Sequence, residues 1–322
     1  MKPLTDPENE DIFQRRILPR VLGALTSKNS QAVLAFLAGQ SAAGKSKAIA
    51  AEAERINRAY GFPIVLQRDL LREFFPAYRE QLRKLGPEGY KLSETDTWKW
   101  YEKIKLAALK AKVPILIEST FRQPEAILKD VGDFFEAGFR IEVTALAVHP
   151  EISKAGVFFR YEREIETEGQ GRFVDLQTHR AALKGLVQTV ELLERDERIR
   201  MLTIAKRDAT TICRVFPAEH SSTDASHALL MAHASLEAEE IEGIARLWDQ
   251  VNEKMGRRDV RPQEREAVRS AIEEFNEVSR RGGIEGPTKT QEPKRLVADP
   301  ASTPQTLSES ARSPKDEGAP GI

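Results

Sequence analysis

Fourteen residues, Val33 to Ser46, constrain this chain more than any others; they read VLAFLAGQSAAGKS. The apolar run Val33–Ala38 has the length and content of a buried strand. It opens directly into Gly39-Gln40-Ser41-Ala42-Ala43-Gly44-Lys45-Ser46, which meets G-x-x-x-x-G-K-[ST] at every fixed position. Lys47 to Ile56 follows, rich in Ala, Glu and Lys and free of Gly and Pro, so it favours helix. Strand, tight loop and helix start in that order make a phosphate-binding P-loop. Its backbone N–H groups and the positive end of the helix form an anion site. Residues 39–46 are therefore the nucleotide-binding candidates, with ATP and Mg²⁺ as the expected ligands. Lys45 is placed to reach the β- and γ-phosphates, and the Ser46 hydroxyl to hold Mg²⁺. A strand–turn–helix with a coincidental lysine is the plainer alternative, and the flanking segments argue against it.

Three further stretches carry polar groups where such a fold places its chemistry. Ile64-Val65-Leu66 is a short strand that runs into Gln67-Arg68-Asp69-Leu70-Leu71-Arg72. An acidic residue just past a strand's carboxyl end is where open α/β sheets bind ligands. Asp69 fits that role, and it equally fits a helix N-cap. Val113 to Ile117 is a buried apolar strand that ends in Glu118-Ser119-Thr120-Phe121-Arg122. Alternation puts Glu118, Thr120 and Arg122 on one side if the extended form continues. The Arg fork there suits phosphate or carboxylate, and a Glu118–Arg122 ion pair is the plain alternative. Between residues 151 and 172, Arg160 and Arg172 stand among glutamates, and Gly169-Gln170-Gly171 precedes Arg172. Two arginines divided by a glycine hinge suit a lid over transferred phosphate. A solvated helix with an Arg160–Glu164 pair is the other reading.

The rest of the chain reads as one α/β unit with appendages. Residues 1–11 are polar and expected to be flexible. A helix with one apolar face runs from Asp11 to Leu25, and residues 27–30 turn into the first strand. Residues 77–94 are polar and broken by Gly86-Pro87 and Gly89. Thr95–Lys110 and Ala126–Ala137 are helices, and Phe139–Val148 is a strand. Residues 200–205 and 209–216 make a closing hairpin or two late strands. The kinase-type domain is thus 12–216. Residues 217–283 form a helical appendage. The segment 284–322 has six prolines and no aromatic residue and is expected to be disordered.

Composition excludes several functions. The net charge is −1, so no basic field draws the chain to nucleic acid or an anionic membrane. A single cysteine, Cys213, rules out an internal disulfide. No apolar stretch reaches the length of a membrane span, and the polar N-terminus lacks a signal-peptide core. The expected location is cytoplasmic.

These motifs, in this order, resemble the zeta toxin family of P-loop kinases over roughly residues 12–216. The family's GQPGAGKS corresponds to Gly39–Ser46, its D-x-x-R to Asp69–Arg72 and its E-G-T-x-R to Glu118–Arg122. Its R-Y-E element and second lid arginine correspond to Arg160-Tyr161-Glu162 and Arg172. Ser41-Ala42 stand for the family's Pro-Gly, Ser119 for its Gly, and Phe75 for its His. The resemblance implies a P-loop kinase fold, with a mainly parallel sheet flanked by helices. It implies a kinase that phosphorylates the sugar 3′-hydroxyl of a UDP-N-acetyl amino sugar, most simply UDP-N-acetylglucosamine, and acts as a toxin held by an antitoxin. On that basis Asp69, Lys45, Arg160 and Arg172 are catalytic. Arg72, Glu118, Thr120 and Arg122 bind the acceptor. A nucleotide-dependent switch, with the C-terminal helices presented to a partner, is the alternative.

Overall fold

The structure is a computed structural model and describes residues 3–25, 32–85, 87–219 and 223–282. The expected turn at 27–30 and the tail at 284–322 lie outside these residues.

The chain is helical from Asp6, earlier than its polar composition implied. Thr5 and Glu8 form a reciprocal capping box at the start of α1 (Asp6–Ile12), and Asn9 is buried against the Asp96 carboxylate. Two orphan N–H groups are satisfied there, which is enough to start a helix in a charged segment. A π-helical turn, Phe13–Ile17, joins α1 to α2 (Leu18–Leu25).

Six strands form one sheet in the order β2-β3-β1-β4-β5-β6. They are β1 (Val33–Ala38), β2 (Ile64–Gln67), β3 (Ile115–Ser119), β4 (Arg140–Leu146), β5 (Ile199–Ala205) and β6 (Thr211–Val215). The first five are parallel, and β6 closes the edge antiparallel to β5. Every residue of β1 is fully buried, as a central strand covered on both faces requires. The crossovers are α3 (Lys45–Tyr60), α4 (Arg68–Leu71), α5 (Tyr78–Leu85), α6 (Pro87–Leu92), α7 (Glu94–Ala111), α8 (Pro124–Glu136), α9 (Pro150–Glu168) and α10 (Leu176–Leu193). Within the stretch 77–94, polar and broken in sequence, residues 78–85 and 87–92 thus fold into short helices.

The topology decides where chemistry can sit. Strands β1, β2 and β3 all point their carboxyl ends the same way, so Gly39, Arg68 and Thr120 lie on one rim of the sheet. Beyond β6 come α11 (Asp224–Ala234), α12 (Ala238–Gly256) and α13 (Pro262–Gly282). Helix α11 joins the main core through Ala225 and Leu229. Helices α12 and α13 build a separate apolar cluster with α9, in which Phe158 meets Trp248, Val251, Met255 and Phe275. No described helix is long and apolar enough to cross a membrane. Cys213 is half-buried and unpaired to any other cysteine, since the chain has one.

Candidate active site

The P-loop is built by local backbone geometry. Gly44 is the N-cap of α3 and takes a left-handed conformation, φ +99°. No side chain caps this helix and no acidic residue lies in its first turn. The helix start therefore offers its N–H groups to an external anion. The Lys45 ammonium is buried under the loop, donating to the carbonyls of Gly39 at 2.7 Å and Gln40 at 3.0 Å. Burial, opposed by Glu118 at 3.8 Å and reinforced by Arg160, brings its pKa down to about 8. A cation desolvated to this degree beside an uncapped helix start fits a polyphosphate.

Ser41-Ala42, which replace the family's Pro-Gly, leave the loop intact. Ala42 adopts φ +62°, a conformation usually left to glycine. Its Cβ is accommodated because α9 presents Gly156 opposite; a Cβ there would come within 3.1 Å of it. The Gln40 side chain is fully buried and reaches the Val148 carbonyl at 2.6 Å, tying the loop to the end of β4.

Ser46 is exposed at the start of α3, as a hydroxyl for Mg²⁺ needs to be. Mg²⁺ takes few protein ligands and fills its shell with phosphate oxygens and water. That fits the side chains present, since the described residues contain no group of three His, Cys, Asp or Glu arranged to hold a metal alone.

Asp69 lies inside the first turn of α4, whose N-cap is Gln67. It is thus not the cap. Its carboxylate is half-exposed and stands 3.6 Å from both Arg72 and Arg172. Arg72 is fully buried and donates to Ser93 Oγ at 2.8 Å. Arg72, expected to bind the acceptor, thus has the Asp69 carboxylate and the Ser93 hydroxyl among its neighbours. Phe75, which replaces the family's His, is buried in the main core.

Glu118, at the end of β3, takes the Gln67 amide and faces Lys45. Its partner is not Arg122. Strand alternation stops at Phe121, which is fully buried with φ +54°. Ser119 Oγ accepts the Phe121 N–H at 3.1 Å, and Thr189 of α10 donates to its carbonyl at 3.0 Å. The serine that replaces the family's glycine therefore fastens this bend. Thr120 is left half-buried at the rim and Arg122 exposed, off the line that continued alternation implied.

The two arginines expected of a lid converge on one carboxylate that the motifs did not single out. Glu164 accepts the Arg172 backbone N–H at 2.8 Å and its guanidinium at 2.7 Å, and lies 3.9 Å from Arg160. The helix pair of the plainer reading thus exists, inside the site. Burial works against the Arg172 charge, but Glu164 and then Asp69 outweigh it and hold the guanidinium firmly charged.

Arg207 is a second residue that sequence reasoning passed over. It sits at the turn between β5 and β6, where Ala209 takes φ +72° and Asp208 accepts the Thr210 N–H at 2.9 Å. Its stem lies over Gly44, so that a Cβ there would be 2.8 Å from Arg207 Cγ. It has no carboxylate partner among the described residues. The only local signal was a basic turn, Lys206-Arg207, after a strand.

Comparisons with known proteins bear on the family and the fold. Toxin PezT of Streptococcus pneumoniae serotype 4 is 24% identical over 226 residues, covering 70% of this chain and 86% of that protein. The solved structure of the PezAT chromosomal toxin–antitoxin system of the same organism superposes with a TM-score of 0.66 at 20% identity. It covers 79% of this chain and 99% of its own. A structure of AvrRxo1-ORF1:-ORF2 with ATP matches with a TM-score of 0.51 at 14% identity, over 87% of this chain and 90% of its own. The fold is thus that of P-loop, kinase-like proteins. Residues 20–215, more than half of the chain, match the family described as Zeta toxin, and the protein belongs to that family.

Proposed function

We propose that this protein is a kinase that transfers the γ-phosphoryl group of ATP to a hydroxyl of a small polar acceptor, most simply UDP-N-acetylglucosamine, and so acts as a toxin. One observation carries the proposal. A carboxylate, Asp69, stands at the rim of the same sheet as the buried Lys45 cradle, in contact with a lid arginine.

Asp69 accepts the proton of the acceptor hydroxyl; a base in this role contributes about 10²–10⁴ in rate. Arg72 holds Asp69 from behind. Lys45 and residues 39–46 hold the phosphate chain, and Ser46 supports Mg²⁺, which when bound offsets charge on the transferring group. Arg160 and Arg172 close over that group from the lid. Glu118 and Thr120 at the end of β3 meet the acceptor, and Arg122, exposed beyond the Phe121 bend, reaches it from the side. Arg207 covers the nucleotide side.

The AvrRxo1-ORF1:-ORF2 structure with ATP supports ATP as donor. The PezAT relatives support an antitoxin as protein partner, and we place the action in the cytoplasm. A nucleotide-dependent switch is the competing function, favoured by the packing of α12 on the lid-bearing α9. Transfer of labelled phosphate from ATP to UDP-N-acetylglucosamine, with Asp69→Asn as control, separates the two.

A further inference from the structure

We infer that Glu264 of α13 is a positioning residue for the lid arginine Arg172, acting through Tyr161. Its catalytic meaning rests on the kinase reading above; its structural content does not.

The R-Y-E element of α9 divides its side chains between two jobs. Arg160 faces Glu164 and the site. Tyr161 and Glu162 face the C-terminal helices and are buried. The Tyr161 hydroxyl donates to Glu264 Oε1 at 2.8 Å. Glu264 in turn accepts from Arg258 at 2.9 Å and from Arg261 Nε at 2.7 Å. Arg258 also clasps Glu162 at 2.6 and 2.9 Å. Burial and then Glu264 raise the Tyr161 pKa to about 12, so the hydroxyl keeps its proton.

The lid lies directly on this tyrosine. A Cβ on Gly171 would be 2.6 Å from the Tyr161 carbonyl and 2.7 Å from its ring. Phe173 packs edge-on against the same ring, 5.2 Å between centroids. Arg172 sits between these two anchors, so the ring fixes its backbone from both sides. Residues 258–264 lie beyond the family match, which ends at 215. A buried ionic cluster adds little net stability over apolar residues of the same size, whereas it does fix orientation. Here the side chain it orients is the one under the lid.

The test is trypsin cleavage after Arg172 in the full chain, followed by mass spectrometry beside the thermal midpoint and the kinetics. Tyr161→Phe removes only the hydroxyl. With an unchanged midpoint it should speed cleavage after Arg172 about tenfold, as expected for losing one hydrogen bond to a charged group. It should lower kcat by a similar factor with ATP affinity within about twofold. Glu264→Gln, which keeps an acceptor, should fall between it and wild type. Unchanged cleavage in Tyr161→Phe overturns the inference, as does faster cleavage with kcat intact. Faster cleavage in a protein whose wild type transfers no phosphate leaves the positioning in place and removes the kinase reading.

Discussion

Arg172 Nη1 lies 3.6 Å from Asp69 Oδ2, so the lid cation and the candidate base touch each other. The contact sets a positive charge against the carboxylate that the proposed mechanism uses as its base. Arg172 is also gripped by Glu164 through backbone and guanidinium together. Arg172→Ala should lower kcat by about 10³–10⁵, the range for an arginine of this kind. Arg172→Lys should recover little, because one ammonium cannot span Glu164 and Asp69 as a fork does. Steady-state kinetics of both variants checks this; full recovery with lysine contradicts it.

Arg207 should matter to nucleotide affinity rather than turnover. It is a cation laid over the positive end of α3 with no described carboxylate opposite, an arrangement that an anion relieves. Arg207→Ala should weaken ATP binding about tenfold, with kcat at saturating ATP within about twofold. Calorimetric titration with ATP and with inorganic triphosphate checks it. Equal losses for both place the contact on the phosphate chain.

Ala42 and Gly156 should behave as a coupled pair. Gly156→Val drives a branched side chain into the Ala42 Cβ and should weaken ATP binding. Ala42→Gly in the same background removes the obstruction and should restore most of the affinity. A double-mutant cycle should show a coupling of about 0.5–3 kcal/mol; strict additivity would mean that the helix yields instead.

Stability should fall in mild acid. Burial pushes the pKa values of His149, His179 and His233 down from 6.5 to about 4. In each the folded pKa lies below the unfolded one, so unfolded chains bind more protons between those values. The contribution is complete above pH 6.5 and drains away toward pH 4. The thermal midpoint should therefore drop between pH 6.5 and 5, before most carboxylates titrate. His179→Gln, which keeps a hydrogen-bonding group near Ser153 Oγ, should flatten that slope.

What the sequence disclosed was local. Strand, loop and helix of the P-loop are contiguous, so residues 39–46 carried their own meaning. The closing strands and the C-terminal helices were legible from periodicity. The bend at Phe121 was not, because a large residue with positive φ runs against local preference and is held by Thr189 from a distant helix. Arg72 could be matched to a motif, yet only packing shows it fully buried behind Asp69. Glu164 and Arg207 looked like ordinary surface charges. Their roles come from what folds over them, which spacing does not record. The early start of α1 depended on a single capping box.

The most direct measurement is transfer of labelled phosphate from ATP, with Mg²⁺, to UDP-N-acetylglucosamine by the full-length protein and by Asp69→Asn. The account predicts a labelled sugar nucleotide, with kcat lower by about 10²–10⁴ in the variant and ATP affinity little changed. ATP binding without transfer to any hydroxyl acceptor, or transfer undiminished in Asp69→Asn, would contradict it.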